Sequence, residues 1–446
     1  MTSSSGSSSD SERRLGKVCV PVAVGLAVLV VESVLVLLLF LIYFPWGWGN
    51  EARRGAAPPN IVFVLADDLG FHDVGYHGSR IRTPNLDRLA AEGVKLENYY
   101  IHTGLQHRHI RSSQPNGLPL DSPTLADQLR VAGYSTHMVG KWHLGFYKSD
   151  YLPNNRGFDS FYGFLNGNED YYTHMCVDRL DLYQDLRPDR SQNGTYSTHL
   201  FTEKAIRVIK THNQSKPLFL YLAYQAVHGP LEVPDSYTEQ YKDIKDTNRK
   251  IYAGMVTCMD EGIGALTGAL QKAGLWQQTI FIFSTDNGGQ RRRGGNNWPL
   301  RGNKNSLFEA GVRAVGFVTS PLLQKTGYVN TRLIHVSDWF PTLVGIAGFS
   351  GWSPPPEADP ADLGLPPGSS HNEPNITDAD KNIWLFNVAA DPEERHDLST
   401  SEPEVVRRLL DRLANYSATS VPPRYPADDP WARPARFGVW GPWRRW

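Results

Sequence analysis

Asp67 and Asp68 stand side by side at the end of an unbroken apolar run, Ile61 to Leu65. Two adjacent carboxylates beside a buried strand end cannot both stay ionised without a positive partner. A divalent cation suits hard carboxylate oxygens. Taken alone, the pair would also fit a capping or turn role. Matching groups recur along the chain. Lys141 and His143 follow the run Ser135–Val139, His228 follows Leu218–Leu222, and Asp286-Asn287 follows Thr279–Ser284. Lys304 and Arg313 add further basic groups. Carboxylates with an amide oxygen are a hard-cation set, for Ca2+ or Mg2+. Lysines and imidazoles around such an ion would neutralise an oxyanion held against it. That inventory suits a sulfate or phosphate ester, where positioning and charge stabilisation do most of the work. Singly, Lys141 reads as a solvated side chain and His228, before Gly229-Pro230, as a turn residue. Their repetition at successive strand ends is what argues for a site.

The elements that must position these groups alternate between strand and helix. After the strand at Ile61, Thr83-Pro84-Asn85 opens a helix with Leu86, Leu89 and Ala90 inward and Gly93 as its stop. Val94–Tyr100 reads as extended, and 101–116 as a polar loop. A second helix starts at Pro123-Thr124, with Leu125, Leu129 and Ala132 inward. A helix over about 199–211 and a long one from Arg249 to Lys272 follow. In the long one, Ile251, Met255, Met259, Ile263, Leu266 and Leu270 share a face. Strands are expected at Thr279–Ser284, Val312–Thr319 and Ile383–Phe386, and helices at Asp338–Leu343 and Glu402–Ser417. Alternation of this kind predicts an α/β fold with a large, mostly parallel sheet flanked by helices. In such sheets the site lies beyond the carboxyl ends of the strands, where the polar groups cluster.

The 446 residues allow one large domain plus a smaller part. A net charge of −1 says nothing about partners, and no nucleic-acid partner is expected. Cys19, Cys176 and Cys258 make neither a zinc site nor a disulfide framework. Cys176 reads as a loop residue and Cys258 as a small buried hydrophobe on the long helix. Val18–Phe44 is a nearly continuous apolar run preceded by Arg13, Arg14 and Lys17. It predicts a type II signal anchor with a cytoplasmic tail at 1–17 and a linker at 45–58. The body then lies in the secretory lumen: lysosome, ER or Golgi, or secreted. Four glycosylation sequons, at Asn193, Asn213, Asn375 and Asn415, agree. The stretch 351–378 is Pro- and Gly-rich and reads as a linker or large loop. The tail with Trp440 and Trp443 is expected to pack back on the body.

Several long runs resemble the sulfatase family, in its arylsulfatase B-like branch, within the alkaline-phosphatase-like superfamily. They are Leu65-Ala-Asp-Asp-Leu-Gly70, His77-Gly-Ser-Arg-Ile-Arg-Thr-Pro84, Thr103-Gly-Leu-Gln-His107, Gly133-Tyr-Ser-Thr-His-Met-Val-Gly-Lys-Trp-His-Leu-Gly145, Phe281-Ile-Phe-Ser-Thr-Asp-Asn-Gly-Gly-Gln290, Gly295-Asn-Asn-Trp-Pro-Leu-Arg-Gly302 and Asp391-Pro-Glu-Glu-Arg-His-Asp-Leu398. The resemblance implies Ca2+ held by Asp67, Asp68, Asp286 and Asn287. It implies sulfate-binding or acid–base roles for Lys141, His143, His228 and Lys304. It implies a large α/β domain, here 59–350, with a smaller C-terminal α+β part at 379–446. It also implies a sulfuric ester hydrolase acting on sulfated, glycosaminoglycan-type sugars.

The chain departs from that pattern at a decisive place. The family's Cys-x-Pro-Ser-Arg run carries the cysteine that becomes formylglycine, the nucleophile. It belongs between Tyr100 and Ile101, which here are adjacent. The family's segment between Phe349 and Trp352 is also missing, so the C-terminal part is truncated. Ser113, Gly117 and Tyr151 stand where such chains carry disulfide cysteines, Ala310 interrupts a Glu-Gly-Gly run, and Arg291–Arg293 is an unusually basic insert. Little or no hydrolysis is therefore expected. A non-catalytic luminal protein that binds metal and sulfated glycans is the alternative. A phosphodiester hydrolase using Thr103 is a third reading, with nothing in the sequence to activate that hydroxyl.

Overall fold

The computed structural model describes residues 58–102, 109–348, 382–420, 425–432 and 438–444. The expected anchor, the sequon at Asn375, Thr103 and the Pro-rich stretch 351–378 lie outside the described residues. In chain order the principal elements are β1 (Asn60–Ala66), α1 (Pro84–Glu92), β2 (Val94–Leu96), β3 (Tyr99–Tyr100), α2 (Leu125–Val131), β4 (Ser135–Lys141) and β5 (Ser160–Phe164). Next come β6 (Met175–Cys176), β7 (Arg179–Leu180), β8 (Tyr183–Gln184), β9 (Arg187–Pro188), α3 (Ser197–Thr211), β10 (Leu218–Ala223), α4 (Asp235–Glu239) and α5 (Thr247–Lys272). The last are β11 (Thr279–Thr285), α6 (Glu309–Val312), β12 (Gly316–Thr319), β13 (Tyr328–Asn330), β14 (Ile334–His335), α7 (Trp339–Ile346) and α8 (Pro403–Ala418).

Ten strands form one sheet in the order β13-β2-β12-β11-β1-β10-β4-β5-β8-β9. Its centre, β11-β1-β10-β4-β5, is parallel throughout. Antiparallel pairs β11/β12 and β5/β8 begin the flanks. β1 pairs with β10 and β11 along its two edges, and helices cover both of its faces, as an uninterrupted apolar strand requires. Val62, Val64 and Ala66 pack with α3 and α5 on one face. Ile61 and Phe63 pack with Leu129 of α2 and Leu343 of α7 on the other. Helix α5 buries Met255, Met259, Ile263, Leu266 and Leu270 completely, at the predicted spacing. Asp246 caps it, accepting from Arg249 N–H at 2.7 Å.

Three local expectations are corrected. Strand β12 begins at Gly316, because Glu309–Val312 turns as a short helix instead. The Glu394 carboxylate accepts the Glu309 N–H at 2.8 Å, satisfying the first helical donor, and Arg313 N–H closes onto Glu309 O. Ile383–Phe386 is not a strand. Its backbone binds locally, with Leu385 N–H on Asp397 Oδ1 at 3.1 Å, and Trp384 and Phe386 stack around the Arg301 guanidinium. Cys176 belongs to the two-residue strand β6 paired with β7, not to a loop. The tail does fold back: Trp440 is buried against Phe146 and donates to Cys176 O at 2.9 Å. Trp443 packs on Phe146 and donates to Asp429, while Trp431 stays exposed.

The positions without disulfide cysteines are filled in other ways. A Cβ on Gly117 would collide with the Tyr151 ring, so the glycine makes room for the tyrosine. Ser113 Oγ donates to Asp428 Oδ1 at 2.6 Å, tying the same loop to the C-terminal tail.

Candidate metal and anion site

The parallel centre of the sheet delivers the site residues to one end. Asp67 and Asp68 follow β1, Lys141 closes β4, His228 lies five residues beyond β10, and Asp286-Asn287 follow β11. Asp68 takes a left-handed backbone (φ 59°), which aspartate tolerates better than most residues. Its N–H donates to Asp286 Oδ1 at 3.0 Å, fixing the turn against the neighbouring strand end. The loop before His228 grips Asp67 from both sides, with Asp67 N–H on Ala226 O and Val227 N–H on Asp67 O.

Lys141 Nζ donates to Asp67 Oδ2 at 2.6 Å. Lys304 Nζ reaches Asp68 Oδ1 at 2.5 Å, and Asn287 Nδ2 donates to the same oxygen at 2.7 Å. His228 donates from Nδ1 to Gly229 O, which leaves Nε2 facing Asp68 Oδ2 at 3.9 Å. Asp67, Asp68, Asp286, Asn287, Lys141, Lys304 and His228 are thus brought together. His143 is set differently: its Nε2 donates to Ile110 O at 3.0 Å. Burial, with Lys141 nearby, pushes this imidazole down to about 3, so it stays neutral near pH 7. Arg313 is not part of the cluster. It pairs with Glu97 and Glu309 and lies over the Phe71 ring.

The electrostatics are those of crowded carboxylates. Burial raises Asp67, but Lys141, His228 and Lys304 together take it down to about 2. Burial and the charges of Asp67 and Asp68 hold Asp286 well above the usual carboxylate range. Burial alone would lower Lys304, yet Asp68, Asp67 and Asp286 raise it. Two oxygens stand out: buried Asp67 Oδ1 and Asp68 Oδ2 have no hydrogen-bond partner. Leaving carboxylate oxygens buried and unsatisfied is costly, and such atoms commonly mark a missing ion. Asp67, Asp68 and His228 also bring ligand atoms within 4.8 Å of one another. The residues present therefore fit a divalent cation.

Sequence reasoning missed the supports behind this cluster. The Tyr252 hydroxyl on α5 lies 3.0 Å from Asp68 O and 2.8 Å from Asp73 Oδ2, two acceptors that share its one proton. The same hydroxyl accepts the Gly70 N–H. In the sequence, Tyr252 reads only as one more residue of a buried helix. Gln225 clamps Glu169, accepting its N–H at 2.7 Å and donating to its carbonyl at 2.8 Å. Tyr171 OH then donates to His228 O at 2.8 Å.

Glu169 belongs to a buried network that locks this clamp. His174 lies between Glu169 Oε1 at 3.2 Å and Gln192 O at 3.0 Å, and Ser197 Oγ donates to Glu169 Oε1. An imidazole flanked by two acceptors favours an extra proton on the pair. Burial pushes Glu169 up to about 7. A raised folded value means stability present below the unfolded value near 4.5 and lost as pH rises through 7. Glu169→Gln imitates the protonated acid. Its stability relative to the native chain should therefore improve by about 3 kcal/mol between pH 4 and pH 8. Thermal unfolding across that range checks this, and parallel profiles would refute it.

A ten-stranded mixed sheet with a parallel centre, flanked by helices, is the architecture of the alkaline-phosphatase-like fold. More narrowly, the chain belongs to the sulfatase family, whose family model matches residues 59–349. Arylsulfatase J of Mus musculus is 44% identical over 88% of this chain and 82% of that protein. N-acetylgalactosamine-6-sulfatase of Mus musculus is 30% identical, over 67% of this chain and 64% of its own length. Among solved structures, Ps i-CgsB in complex with k-i-k-neocarrahexaose superposes with a TM-score of 0.71 at 27% identity, covering 82% of this chain and 94% of that one. The PsFucS1 sulfatase from Pseudoalteromonas sp. shares the fold, with a TM-score of 0.64 at 21% identity and coverage of 82% and 92%.

Proposed function

We propose that this chain is a luminal, sulfatase-type protein that holds Ca2+ and a sulfated, glycosaminoglycan-type sugar but hydrolyses it little or not at all. The observation that carries the reading is the pair of unpartnered oxygens, Asp67 Oδ1 and Asp68 Oδ2, on carboxylates whose other oxygens each hold a lysine. A bound divalent cation would let Asp286 ionise. Three carboxylates would then face two ammoniums and a doubly charged ion, leaving one net positive charge. That matches the single charge of a sulfate monoester better than the larger charge of a phosphate monoester. Asp67, Asp68, Asp286 and Asn287 would hold the ion, and remaining positions would be open to water or ligand. Calcium tolerates such an incomplete, irregular oxygen set, whereas magnesium demands near-ideal octahedral geometry. Lys141, Lys304 and His228 would meet the sulfate, with His143 as a neutral group nearby.

The luminal assignment rests on the apolar run Val18–Phe44 and on the sequons. Asn193, Asn213 and Asn415 are exposed, as glycosylation requires. Among the described residues no helix is long and apolar enough to cross a membrane.

The test is calorimetric titration of the full chain with N-acetylgalactosamine 4-sulfate. Binding should require Ca2+, disappear for the desulfated sugar, and weaken strongly in Lys141→Met. Equal affinity for the desulfated sugar, or binding indifferent to Ca2+, would refute the reading.

A further inference from the structure

The wall between Asn287 and Lys304 is a single loop, and it carries no acidic residue. It does carry Arg291, Arg292 and Arg293, in a short turn closed by Gly294. The loop is pressed onto the site. Gly289 meets Gly70, two residues beyond Asp68, and Lys304 N–H donates to Gly289 O. The Arg293 guanidinium lies 3.6–3.8 Å from where a side chain on Gly229 would begin, beside His228. All three arginines are exposed, and among the described residues none of their side chains has an acidic partner. Three adjacent guanidiniums repel one another, so an unneutralised triplet on a site wall is a binding surface for anions. Farther along the same loop, Trp298 is 63% exposed, its ring edge-on to His72. An open aromatic face on the same loop as cationic forks offers a sugar ring a second surface to pack on.

We infer that Arg291–Arg293 forms a second anion subsite, which takes a sulfate or carboxylate on a sugar unit adjoining the one held at Asp67 and Asp68. The inference rests on the sulfate-ester reading of the main site. It makes the preferred ligand a sulfated polysaccharide rather than a single sulfated sugar. Guanidinium forks bind such groups through paired hydrogen bonds, and the attraction is screened by salt.

The test compares two probes on the full chain with Ca2+ present: N-acetylgalactosamine 4-sulfate, which fills only the main site, and a dermatan sulfate hexasaccharide. Replacing all three arginines by serine should weaken hexasaccharide binding by about tenfold, at roughly a factor of two per exposed charge pair. The same variant should flatten the salt dependence and leave the monosaccharide affinity unchanged. A triple lysine variant, which keeps the charge, should recover most of the loss. Unchanged hexasaccharide affinity in the serine variant overturns the subsite while leaving the main site intact. So does equal binding of an oligonucleotide of matched charge. If the native chain binds neither sugar, the main-site reading fails and the subsite fails with it.

Discussion

Incubated with an aryl sulfate and Ca2+, this chain should release product at the background rate, on the order of a millionfold below a nucleophile-bearing relative. The reason is local. On the sulfatase resemblance, the attacking group would come from a residue between the positions of Tyr100 and Ile101, and here β3 runs directly into the next loop. Tyr100 donates its hydroxyl to Glu309, and Ile101 is buried with its N–H on Val312 O. Neither presents a nucleophile to the Asp67–Asp68 cluster. The two described cysteines are elsewhere and buried: Cys176 packs beneath Trp440, and Cys258 sits on α5 beside His199. Burial pushes both thiols up to about 12, so neither is a thiolate near neutral pH. On the proposed reading, what remains would bind a sulfate ester without forming a covalent intermediate. Continuous assay with an aryl sulfate decides the point. Turnover well above background that is lost in Lys141→Met would sink the prediction, because it would require a nucleophile from outside these residues.

The parallel centre and its carboxyl-edge cluster were readable because each relies on local pattern. A run such as Ile61–Leu65 has one comfortable place, a strand covered on both faces, and β1 occupies it. Polar groups immediately after such runs must then meet at one edge, as Asp67, Lys141 and Asp286 do. Less readable was what depends on pairing across long sequence distances. Ile383–Phe386 has strand composition, but a strand needs a neighbour, and Arg301 and Phe308 receive its rings instead. Val312 reads as the start of a strand because nothing local reveals Glu394 capping the helical turn at Glu309. Tyr252 was hidden for the opposite reason. Its helix face is fully explained by burial, so its hydroxyl's hold on Asp68 O and Asp73 leaves no trace in the periodicity. His143 had the right spacing from Lys141, yet its Nε2 belongs to Ile110 O, a partner that only the folded chain brings near.

Adding Ca2+ should raise the thermal midpoint of the native chain, and Asp68→Asn should abolish that rise. A ligand that binds only the folded state stabilises it by about 2.7 kcal/mol at a hundredfold excess over its dissociation constant. Asp68 is the residue whose loss hurts most. Its Oδ1 already serves Lys304 and Asn287, so Oδ2 is the oxygen free to meet an ion. Asparagine keeps the shape but removes the charge, and Lys304 then faces the cluster without its closest counter-ion. Loss of one charged ligand should weaken the cation by at least about a hundredfold, at or beyond the upper end of outer-shell effects. The metal-free variant should also be less stable than the native chain, by up to about 3 kcal/mol, since half of a largely buried ion pair is gone. The two effects separate cleanly in calorimetry with and without chelator. A calcium-dependent rise of equal size in both proteins would show that the ion binds elsewhere. A variant as stable as the native chain without metal would show that Lys304 does not depend on Asp68 for its charge. If both expected effects appear, the two unpartnered oxygens are an ion's place, and the lysines on the same carboxylates are what remains to greet a sulfate.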